Sequence, residues 1–508
     1  MHTGMVMRYF LWCTFSLICW LSVVVQHASA QQGLNNLWLG GYGEQWDPPW
    51  GGVDMEFLSG DLLISTAART MDHKRTSANI SDVNGILLFS TNGAYLANAT
   101  GDTLLNGTGL NPSTYTSNYP EGLYIPQAVL ILPKPASATV FYLFHSTIDH
   151  QGPAYALQLY LTVVDMTLNG GLGGAMQKNL VLIADTLVAG KITAVRHANG
   201  RDWWVFCHRR ATNIFYRLLI TPEGISGLEQ QAIGIVRNWA GGQVCFSPQG
   251  DRFAYYWGSA GEDLEIFDFD RCTGLLSNPV HILIDDANNH GGVAFSPNGR
   301  YLYVTSIEDV YQYDTEAPDI SASMVHIAEW DSTYSPFPPL ATLFDIAQLA
   351  PDGKIYIGTG NSTDRLHVIH SPDSAGLACN IEQHGIALPR YFINSLPNHP
   401  NYHLGPIDGS VCDSLGINTG VPEAALQQTM HAYPNPSSGA FTLSYAAQPI
   451  VGELELYNAA GQVVLRGKLP AWSTMHNVQL SNIPVGMYYC RLQWANGSAT
   501  TRIIIQAP

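Results

Sequence analysis

Three segments of the sequence place histidines beside charged residues, the residue types that perform acid–base chemistry or bind metal ions. They are FHSTIDHQG with His145, Asp149 and His150, FCHRRATN with His208, Arg209 and Arg210, and DDANNHGG with Asp285, Asp286 and His290. Each segment is suited to an active site or a metal site. Each is also typical of a polar loop between strands, and the sequence leaves both interpretations open.

Established catalytic motifs are absent from the chain. It contains no G-x-S-x-G nucleophile elbow, no H-E-x-x-H zinc motif, no P-loop and no sialidase-type S-x-D-x-G-x-T-W box. Paired catalytic carboxylates stay open as an alternative, because their separation in space cannot be derived from sequence. We therefore predict no catalytic residue, no cofactor and no metal site, and we leave enzymatic activity open.

A repeated strand–turn–strand pattern must position any such residues. It is clearest in QVCFSPQGDRFAYY, GVAFSPNGRYLYVT and IAQLAPDGKIYIGT, where Pro and Gly favour a tight turn. Further copies turn at Gly200, at Gly93 and near Ser137. A period of about 50 residues in strand-rich sequence is typical of propeller blades. Leu34 to Val411 fits about seven blades, although six, eight or a stacked solenoid are alternatives, and a composite blade is expected to join an N-terminal strand to the stretch after His370.

The first strand of each blade is expected to line a central channel, with its first residues at one mouth. The residues at these positions are Gln127, Thr193, Gln243, His290 with Gly291 and Gly292, and Gln348. Three glutamines at equivalent positions could offer amide donors and acceptors to a ligand. The alternative is that they hydrogen-bond to the backbone of neighbouring blades and close the channel. Gln127, Gln243, His290 and Gln348 are our candidate binding residues.

The formal charge of the chain is −17, from 23 Lys and Arg against 40 Asp and Glu. A chain this acidic repels phosphate backbones, so we expect no nucleic-acid partner. Calcium-collecting loops are another use of acidic residues, but no D-x-[DN]-x-[DN]-G run is present. The acidity is otherwise explained by solubility.

Residues 1–30 have the features of a secretory signal peptide. Arg8 precedes an apolar stretch that ends in Ala28-Ser29-Ala30, an A-x-A cleavage site, so the mature chain is expected to begin at Gln31 after cleavage behind Ala30. A retained membrane anchor is the alternative. No later segment has 18 consecutive apolar residues, so we predict no integral membrane segment after signal removal.

Six cysteines follow the leader, and none belongs to a C-x-x-C pair, which disfavours a thiolate zinc site. An oxidising compartment permits disulfides. Cys379 and Cys412 flank one loop-rich segment and are the predicted disulfide. Cys245 and Cys490 lie within strand-like runs and are predicted to be buried thiols.

The end of the chain forms a separate strand-rich segment. Residues 413–431 contain Gly420 and Pro422 without a clear strand pattern, which indicates a linker. From residue 432 to 508, alternating strands separated by Gly, Asn and Pro predict a small Ig-like antiparallel β-sandwich. An adhesive module is one interpretation of such a domain.

Several motifs of this segment occur in an order known from one family. They are Tyr433-Pro434-Asn435-Pro436, Leu456-Tyr457-Asn458 ahead of Gly461, Gly486-Met487-Tyr488 and Ile503 to Ile505. The segment resembles the type A C-terminal sorting domain of type IX secretion cargo. The resemblance implies passage through the periplasm of a Gram-negative bacterium and recognition by the type IX secretion machinery. It also implies removal of the domain, with the protein released or anchored at the cell surface.

The predicted repeat domain, residues 31–412, belongs to a second, less specific resemblance that spans most of Leu34 to Gly416. The stretches LWLGGYG, SDVNGILLFSTNG, LPKPASATVFYLF and SLPNHPNYHLGPIDGSVCDSLG are similar to propeller-like repeat proteins exported by the same system. That group implies no general activity. The usual Trp-Tyr-Phe-Gly opening is replaced here by Leu37-Trp38-Leu39-Gly40, so this copy is divergent.

The sequence therefore predicts an all-β chain in which a β-propeller of about seven blades precedes the sorting domain. The first hypothesis for its function is a secreted or surface-displayed module that binds a glycan, a peptide or an envelope protein. The alternative is a secreted propeller enzyme, such as a lyase, lactonase or hydrolase. An extracellular structural component is a third hypothesis.

Overall fold

The structure is a computed structural model of the chain. It describes residues 33–57, 62–152, 154–258, 261–286, 290–413, 430–445, 448, 451–458, 461–471, 473–480, 483–494 and 497–506. The predicted leader 1–30, its cleavage residues Ala30 and Gln31, and most of the predicted linker 413–431 lie outside these residues. The chain divides into two compact units, Met1–Asp413 and Ser414–Pro508.

The described residues of the first unit form seven antiparallel sheets, numbered here in chain order. Sheets 1 and 2 have three strands each, and sheets 3 to 7 have four. In each sheet, strands consecutive in the chain pair with each other, and a short helix α1, Thr114–Asn118, lies between sheets 2 and 3 in the chain. The strands of sheets 1 to 3 are β1 Leu37–Gly41, β2 Gly52–Glu56, β3 Leu63–Ala67, β4 Ala78–Ser81, β5 Leu87–Thr91, β6 Leu96–Asn98, β7 Val129–Pro133, β8 Val140–His145, β9 Tyr155–Asp165 and β10 Gly174–Val188. Those of sheets 4 to 7 are β11 Thr193–Arg196, β12 Trp203–His208, β13 Thr212–Thr221, β14 Gly224–Arg237, β15 Gln243–Phe246, β16 Arg252–Tyr256, β17 Leu264–Asp270, β18 Leu275–Ile282, β19 Gly292–Phe295, β20 Tyr301–Ser306, β21 Asp309–Asp314, β22 Val325–Glu329, β23 Ala347–Leu349, β24 Ile355–Ile357, β25 Thr363–Ile369 and β26 Ile381–Phe392.

The repeated turns join the first and second strands of successive sheets. Gly250, Gly299 and Gly353 adopt φ values of 71°, 77° and 79°, a region that glycine occupies at little cost. Sheet 2 differs from the predicted repeat. Gly93 follows β5, and the glycine in the equivalent turn after β4 is Gly85, with φ 83°. The repeat was therefore assigned one turn too late in this sheet, because both turns combine Asn with Gly.

Each sheet packs its apolar faces against its neighbours. One hydrophobic cluster joins sheets 2 to 4, and three more join sheets 4 and 5, 5 and 6, and 6 and 7. A further cluster joins the last sheet to the first, with Trp38, Val53 and Phe57 packed against Tyr356 and Phe392. The last sheet of the first unit thus packs against its first sheet.

The predicted composite blade is wrong. The chain after His370 forms β26, which pairs with β25 in sheet 7, while β1 to β3 form a sheet of their own. When β26 pairs with β25, the strand that precedes it in the chain, the loop that must close is much shorter than for pairing with an N-terminal strand. The shorter loop costs less chain entropy. Residues 393–405, called the crossing segment below, continue from β26 without a strand.

The second unit contains two antiparallel sheets around one apolar core. One sheet has the order β27-β28-β31 and the other β30-β29-β32-β33. Its core includes Leu443, Leu454, Leu492 and Ile503. The strands are β27 His431–Tyr433, β28 Ala440–Ser444, β29 Gly452–Asn458, β30 Val463–Leu469, β31 Met475–Gln479, β32 Gly486–Trp494 and β33 Gly497–Ile505.

Candidate functional site

A cavity of about 230 Å³ lies among the first strands of sheets 4 to 7 and the crossing segment. Three of the four predicted binding residues, Gln127, Gln243 and Gln348, line it. His290 does not. The other polar or ring-bearing lining residues used below are Asn35, Thr193, Phe246, Ser247, Phe295, Asn398, His399, Asn401 and His403.

Gln243 ties three sheets together through its side-chain amide. Its Oε1 accepts hydrogen bonds from the backbone N–H groups of Val293 and Ala347, each at 3.0 Å. Its Nε2 donates to the Ala347 carbonyl at 2.7 Å. The Gln243 side chain therefore hydrogen-bonds to the backbone of the two neighbouring first strands.

Gln127 makes the same kind of contact across the cavity. Its Oε1 accepts from Val244 N at 2.9 Å, and its Nε2 donates to Val244 O at 2.8 Å and to Asn398 Oδ1 at 3.3 Å. Gln348 differs, since its Nε2 makes only long bonds, to His399 O at 3.4 Å and Leu349 O at 3.3 Å. Among the described residues none donates to Gln348 Oε1, so this amide is the most available of the three to a ligand.

The crossing segment forms one wall of the cavity. Asn398 Nδ2 donates to Val129 O and Ile192 O, each at 2.8 Å. His399 Nε2 contacts Asn79 O at 2.8 Å, and Tyr402 Oη donates to Ile131 O at 2.7 Å. The segment is thus held by the backbone of sheets 2 and 3 and the chain entering sheet 4. Sequence reasoning missed this role, because its partners lie more than 200 residues away along the chain.

The cavity wall is electrically neutral. The described residues that line it include no Asp, Glu, Lys or Arg. Burial lowers the pKa of His399 to about 4, and burial followed by the charge of Arg196 lowers the pKa of His403. Both imidazoles are therefore neutral at pH 7. The wall offers amides, hydroxyls, imidazole nitrogens and the rings of Phe246 and Phe295, which suits an uncharged ligand that forms hydrogen bonds.

His290 lies at the other end of the first strands, where they begin. Its Nδ1 is 2.6 Å from Asp345 Oδ1 but is not aligned for a hydrogen bond. Its Nε2 is 3.5 Å from Arg75 Nη1, and Asn394 Nδ2 donates to Asp345 Oδ2 at 2.6 Å. This histidine–carboxylate contact therefore lies outside the cavity. Asp286 is turned to Ser306 Oγ, at 2.7 Å.

The two other histidine segments do not converge on a site. His145 is fully buried between Asn111 Oδ1 at 2.8 Å and Thr162 Oγ1 at 2.9 Å, and burial lowers its pKa to about 3. His150 stacks on Tyr155 with ring centroids 4.9 Å apart, and Asp149 accepts from Leu157 N at 2.7 Å.

His208 packs edge-on against Phe215 at 4.6 Å, and burial lowers its pKa to about 3. Its neighbour Arg209 pairs with Asp185 at 2.9 Å, and Arg210 lies 5.5 Å from the Tyr155 ring. Among the described residues, no group of three or more His, Cys, Asp or Glu is placed to hold a metal ion.

A buried cationic cluster surrounds Tyr255, and no sequence motif indicated it. Lys191 Nζ and the Arg237 guanidinium lie 3.9 and 4.0 Å from the centre of its ring. Arg237 pairs with the buried Glu265 at 3.2 Å, whereas Lys191 donates to Tyr256 O at 3.2 Å. Burial and the nearby Arg237 charge hold the pKa of Lys191 well below its usual value. This cluster stabilises the contact between sheets 4 and 5.

The predicted Cys379–Cys412 disulfide is wrong, because Cys412 pairs with Cys272. The Cα atoms of Cys272 and Cys412 are 5.6 Å apart. Cys379 is a free, buried cysteine in the apolar core of sheets 6 and 7. Cys490 is a buried thiol as predicted, whereas Cys245 is half-buried on the cavity wall. Proximity along the chain misled the prediction, since the true partners are 140 residues apart.

The sorting motif residues fix turns of the second unit. Asn435 Nδ2 donates to Arg502 O at 2.7 Å, and Asn435 Oδ1 accepts from Ile504 N at 2.8 Å, which ties the Pro434-Asn435-Pro436 run to β33. Gly461 turns between β29 and β30 with φ 78°, and Gly486 begins β32. Tyr488 is buried, and its hydroxyl donates to Pro484 O at 2.8 Å. The side chain of Tyr433 is outside what the structure describes.

Solved structures with related folds are similar to the chain only at a low level. A protein from Lactobacillus plantarum is 12% identical over 71% of this chain and 98% of its own, with a TM-score of 0.42. A candidate 6-phosphogluconolactonase from Bacteroides fragilis is 11% identical over 58% of this chain and 80% of its own, with a TM-score of 0.35. Apo AztD from Citrobacter koseri is 12% identical over 88% of this chain and 100% of its own, with a TM-score of 0.30. These likenesses are too weak to transfer an activity.

No curated protein matches the chain at a significant level. The described part of the chain contains no helix with the length and apolar character of a bilayer span. One family does match, the secretion system C-terminal sorting domain, over residues 431–506. That range contains every sorting motif predicted from the sequence, and it implies export by a Gram-negative secretion system to the cell surface or the extracellular space. The chain is a type IX secretion cargo that carries its C-terminal sorting domain at residues 431–506.

Proposed function

We propose that the first unit is a seven-bladed β-propeller that serves, once exported, as a binding module. Each of its seven sheets would be one blade, and the closing contact between sheets 7 and 1 supports this interpretation. The second unit, in this proposal, is an Ig-like sandwich that the type IX machinery recognises. Cleavage of the leader between Ala30 and Gln31 belongs to the same proposal, and N-terminal sequencing of the exported chain tests it.

The neutral wall of the cavity is the observation that supports a binding role. General acid–base catalysis needs groups that exchange protons near neutral pH, and hydrolysis of glycosides commonly uses a pair of carboxylates. The described lining residues include no carboxylate, and the pKa values of His399 and His403 are lowered. The wall is suited to holding a ligand and poorly suited to changing it.

The ligand class follows from the donors and acceptors of the same wall. Gln348 Oε1 offers an acceptor, Thr193 carries a hydroxyl, and Phe246 and Phe295 add apolar surface. A neutral, hydroxyl-rich molecule such as the end of a glycan chain satisfies these groups without bringing an unpaired charge into the cavity. A cavity of about 230 Å³ admits about one sugar unit.

Titration of the full-length mature chain with neutral monosaccharides and disaccharides tests this proposal. Gln348→Ala removes the most available amide and is expected to weaken binding about tenfold, the effect of one or two hydrogen bonds. Gln230→Ala, on the exposed face of β14, is the matched control and should bind like the wild type. Equal affinities for wild type and Gln348→Ala would place the ligand elsewhere.

A second candidate function rests on the pair formed by His290 and Asp345. A histidine 2.6 Å from a buried carboxylate can act as a general base for a secreted lyase, lactonase or hydrolase. The pair includes a single carboxylate, which gives it less support than the binding role. Turnover of a polysaccharide or lactone panel that disappears in His290→Ala would establish it, and no turnover by the wild type on that panel would remove it.

A further inference from the structure

A row of aromatic rings lies on the first unit apart from the neutral cavity. Tyr42 and Trp46 are 5.2 Å apart, Tyr119 and Tyr124 are 5.3 Å apart, and the ammonium group of Lys74 lies between the two pairs, 5.6 Å from the Trp46 ring and 4.8 Å from the Tyr124 ring. We call these five residues the aromatic platform. Trp46 is 41% exposed and Tyr119 is 37% exposed, so one ring of each pair faces solvent, whereas Tyr42 is buried.

The buried carboxylate of Asp72 fixes the orientation of the Trp46 ring through the indole N–H. Trp46 Nε1 donates to Asp72 Oδ2 at 3.1 Å. The other Asp72 oxygen accepts from Gly43 N at 2.6 Å and Gln45 Nε2 at 2.7 Å. The indole N–H therefore already has an acceptor, so a ligand can cover the exposed ring face without depriving Trp46 of a hydrogen bond. A ring fixed in this way loses little entropy when a ligand stacks on it.

The charge of Lys74 in the platform is balanced by Asp72 beneath it. Lys74 Nζ is 3.1 Å from Asp72 Oδ2, and both side chains are almost fully buried. A buried pair of this kind cancels its own field, so the platform neither attracts nor repels an ion strongly. An uncharged ligand is the class that such a surface accepts at the lowest desolvation cost.

A groove of about 710 Å³ runs beside the platform. Helix α1 joins the two features, because Thr116 and Ser117 line the groove while Tyr119 caps the same helix. The Tyr115 ring lies 4.7 Å from the Tyr119 ring, tilted by 51°. Most polar lining groups are hydroxyls, and Asp102 is the one charged residue among the described residues that line it. The lining side chains with hydroxyls are Thr70, Tyr95, Thr103, Thr108, Ser113, Thr116 and Ser117.

We propose that the aromatic platform and the hydroxyl groove together bind a neutral polysaccharide of pyranose units. A pyranose ring has an apolar C–H face that stacks on Trp46, and equatorial hydroxyls that hydrogen-bond to the groove. Nucleic acid would require a cationic track, and the groove offers none. This site shares no residue with the cavity of the proposed function, so either can fail without the other.

Affinity measurements on the full-length mature chain with neutral hexasaccharides of β-1,4-linked glucose, xylose and mannose test the proposal. At least one is expected to bind, and Trp46→Ala is expected to weaken that binding at least about tenfold, whereas Trp46→Phe keeps part of it. Trp239→Ala is the matched control, since Trp239 is equally exposed, at 44%, and lies outside the platform. Its affinity should equal that of the wild type.

Three results would overturn the proposal. They are no binding of any neutral hexasaccharide, unchanged binding in both Trp46→Ala and Tyr119→Ala, or binding only of a charged oligogalacturonate of the same length. Gln348→Ala separates the two sites. Binding lost in Gln348→Ala and retained in Trp46→Ala assigns the saccharide to the cavity, and the reverse assigns it to the platform. Thermal unfolding of each variant shows that its fold is intact.

Discussion

The two units of the chain bury different kinds of side chain. The core of the second unit is made of hydrophobic residues, with Ser437 and Gln448 as its buried polar side chains among the described residues. The first unit buries Lys191, Arg237, Asp72 and several histidines as well as its apolar clusters. Buried polar groups are stable only when they are paired, so the first unit depends on long-range partners that the second does not need.

The same contrast is visible strand by strand. In β32, Gly486–Trp494, buried and exposed residues alternate from Tyr488 onward, since one face of the strand meets the core and the other meets solvent. In β20, Tyr301–Ser306, every residue is buried, because sheets cover both faces. The second pattern carries no alternation, so its partners cannot be inferred from the sequence.

Acid should produce the largest difference between the units. Burial lowers the pKa of His145, His208 and His367 to about 3 and that of His399 to about 4 in the folded state. Their stabilising contribution is complete above the unfolded pKa of about 6.5 and is lost as pH falls toward the folded pKa values, by about 1.4 kcal/mol per pH unit for each histidine. Between pH 6.5 and 4.5 the first unit should therefore lose several kcal/mol.

Pulse proteolysis mapped by mass spectrometry can follow the two units separately at each pH. The second unit is expected to keep its resistance over the same range, because its described core has no buried histidine. A first unit as resistant at pH 4.5 as at pH 7, or equal losses in both units, would contradict the assignment of these histidines as neutral buried groups.

The disulfide should produce the next largest difference. Cys272 and Cys412 close a loop of 140 residues within the first unit, which corresponds to roughly 5 kcal/mol of stability by the chain-entropy estimate. The Cys272→Ser/Cys412→Ser variant should lose this amount in the first unit alone. Wild type in dithiothreitol should behave like the variant, and the variant itself should be insensitive to the reductant.

Peptide mapping without reduction checks the pairing directly. Cys272 and Cys412 peptides are expected as one cross-linked species, and Cys379 should be alkylated as a free thiol after unfolding. A cross-link that contains Cys379 would restore the pairing expected from the sequence.

The fold was predictable where neighbours along the chain pair with each other. The Pro-x-Gly turns after Phe246, Phe295 and Leu349 each connect consecutive strands, and the sorting motifs fall on local turns such as Gly461. The candidate site was predictable in part. Repeat position brought Gln127, Gln243 and Gln348 to one cavity, but their partners, Val244, Ala347 and His399, come from other sheets or from the crossing segment.

The sequence could not indicate the crossing segment or the aromatic platform. Asn398 contacts residues 269 and 206 positions away, and Trp46 depends on Asp72 for its orientation, although no periodic pattern links them. His290 was grouped with the glutamines by repeat position, yet it precedes its strand and lies at the opposite end from the cavity wall formed by the turns. Residue types can be read from a chain, whereas their convergence depends on packing.

A core substitution in the second unit should affect that unit alone. Leu454 is 1% exposed in β29, so Leu454→Ala is expected to cost about 3 kcal/mol and to reduce export. Val464→Ala, on β30 with 39% exposure, is the matched control and should have little effect. Fractionation of cells that express each variant, together with proteolysis of the first unit, checks both statements, and loss of first-unit resistance in Leu454→Ala would show that the units do not unfold independently.

The smallest expected effect concerns the crossing segment. Asn398→Ala removes the amide that donates to the buried Val129 and Ile192 carbonyls and one of the hydrogen bonds of Gln127, which should cost about 2 kcal/mol. Asn401→Ala removes two exposed hydrogen bonds, one to Pro248 O at 2.8 Å and one from His403 N at 3.0 Å, and should change stability by less than about 0.5 kcal/mol. Urea unfolding of the first unit compares the two. Equal costs would mean that the segment only fills space, whereas a larger cost for Asn398→Ala means that it binds the sheets together and so shapes the cavity wall.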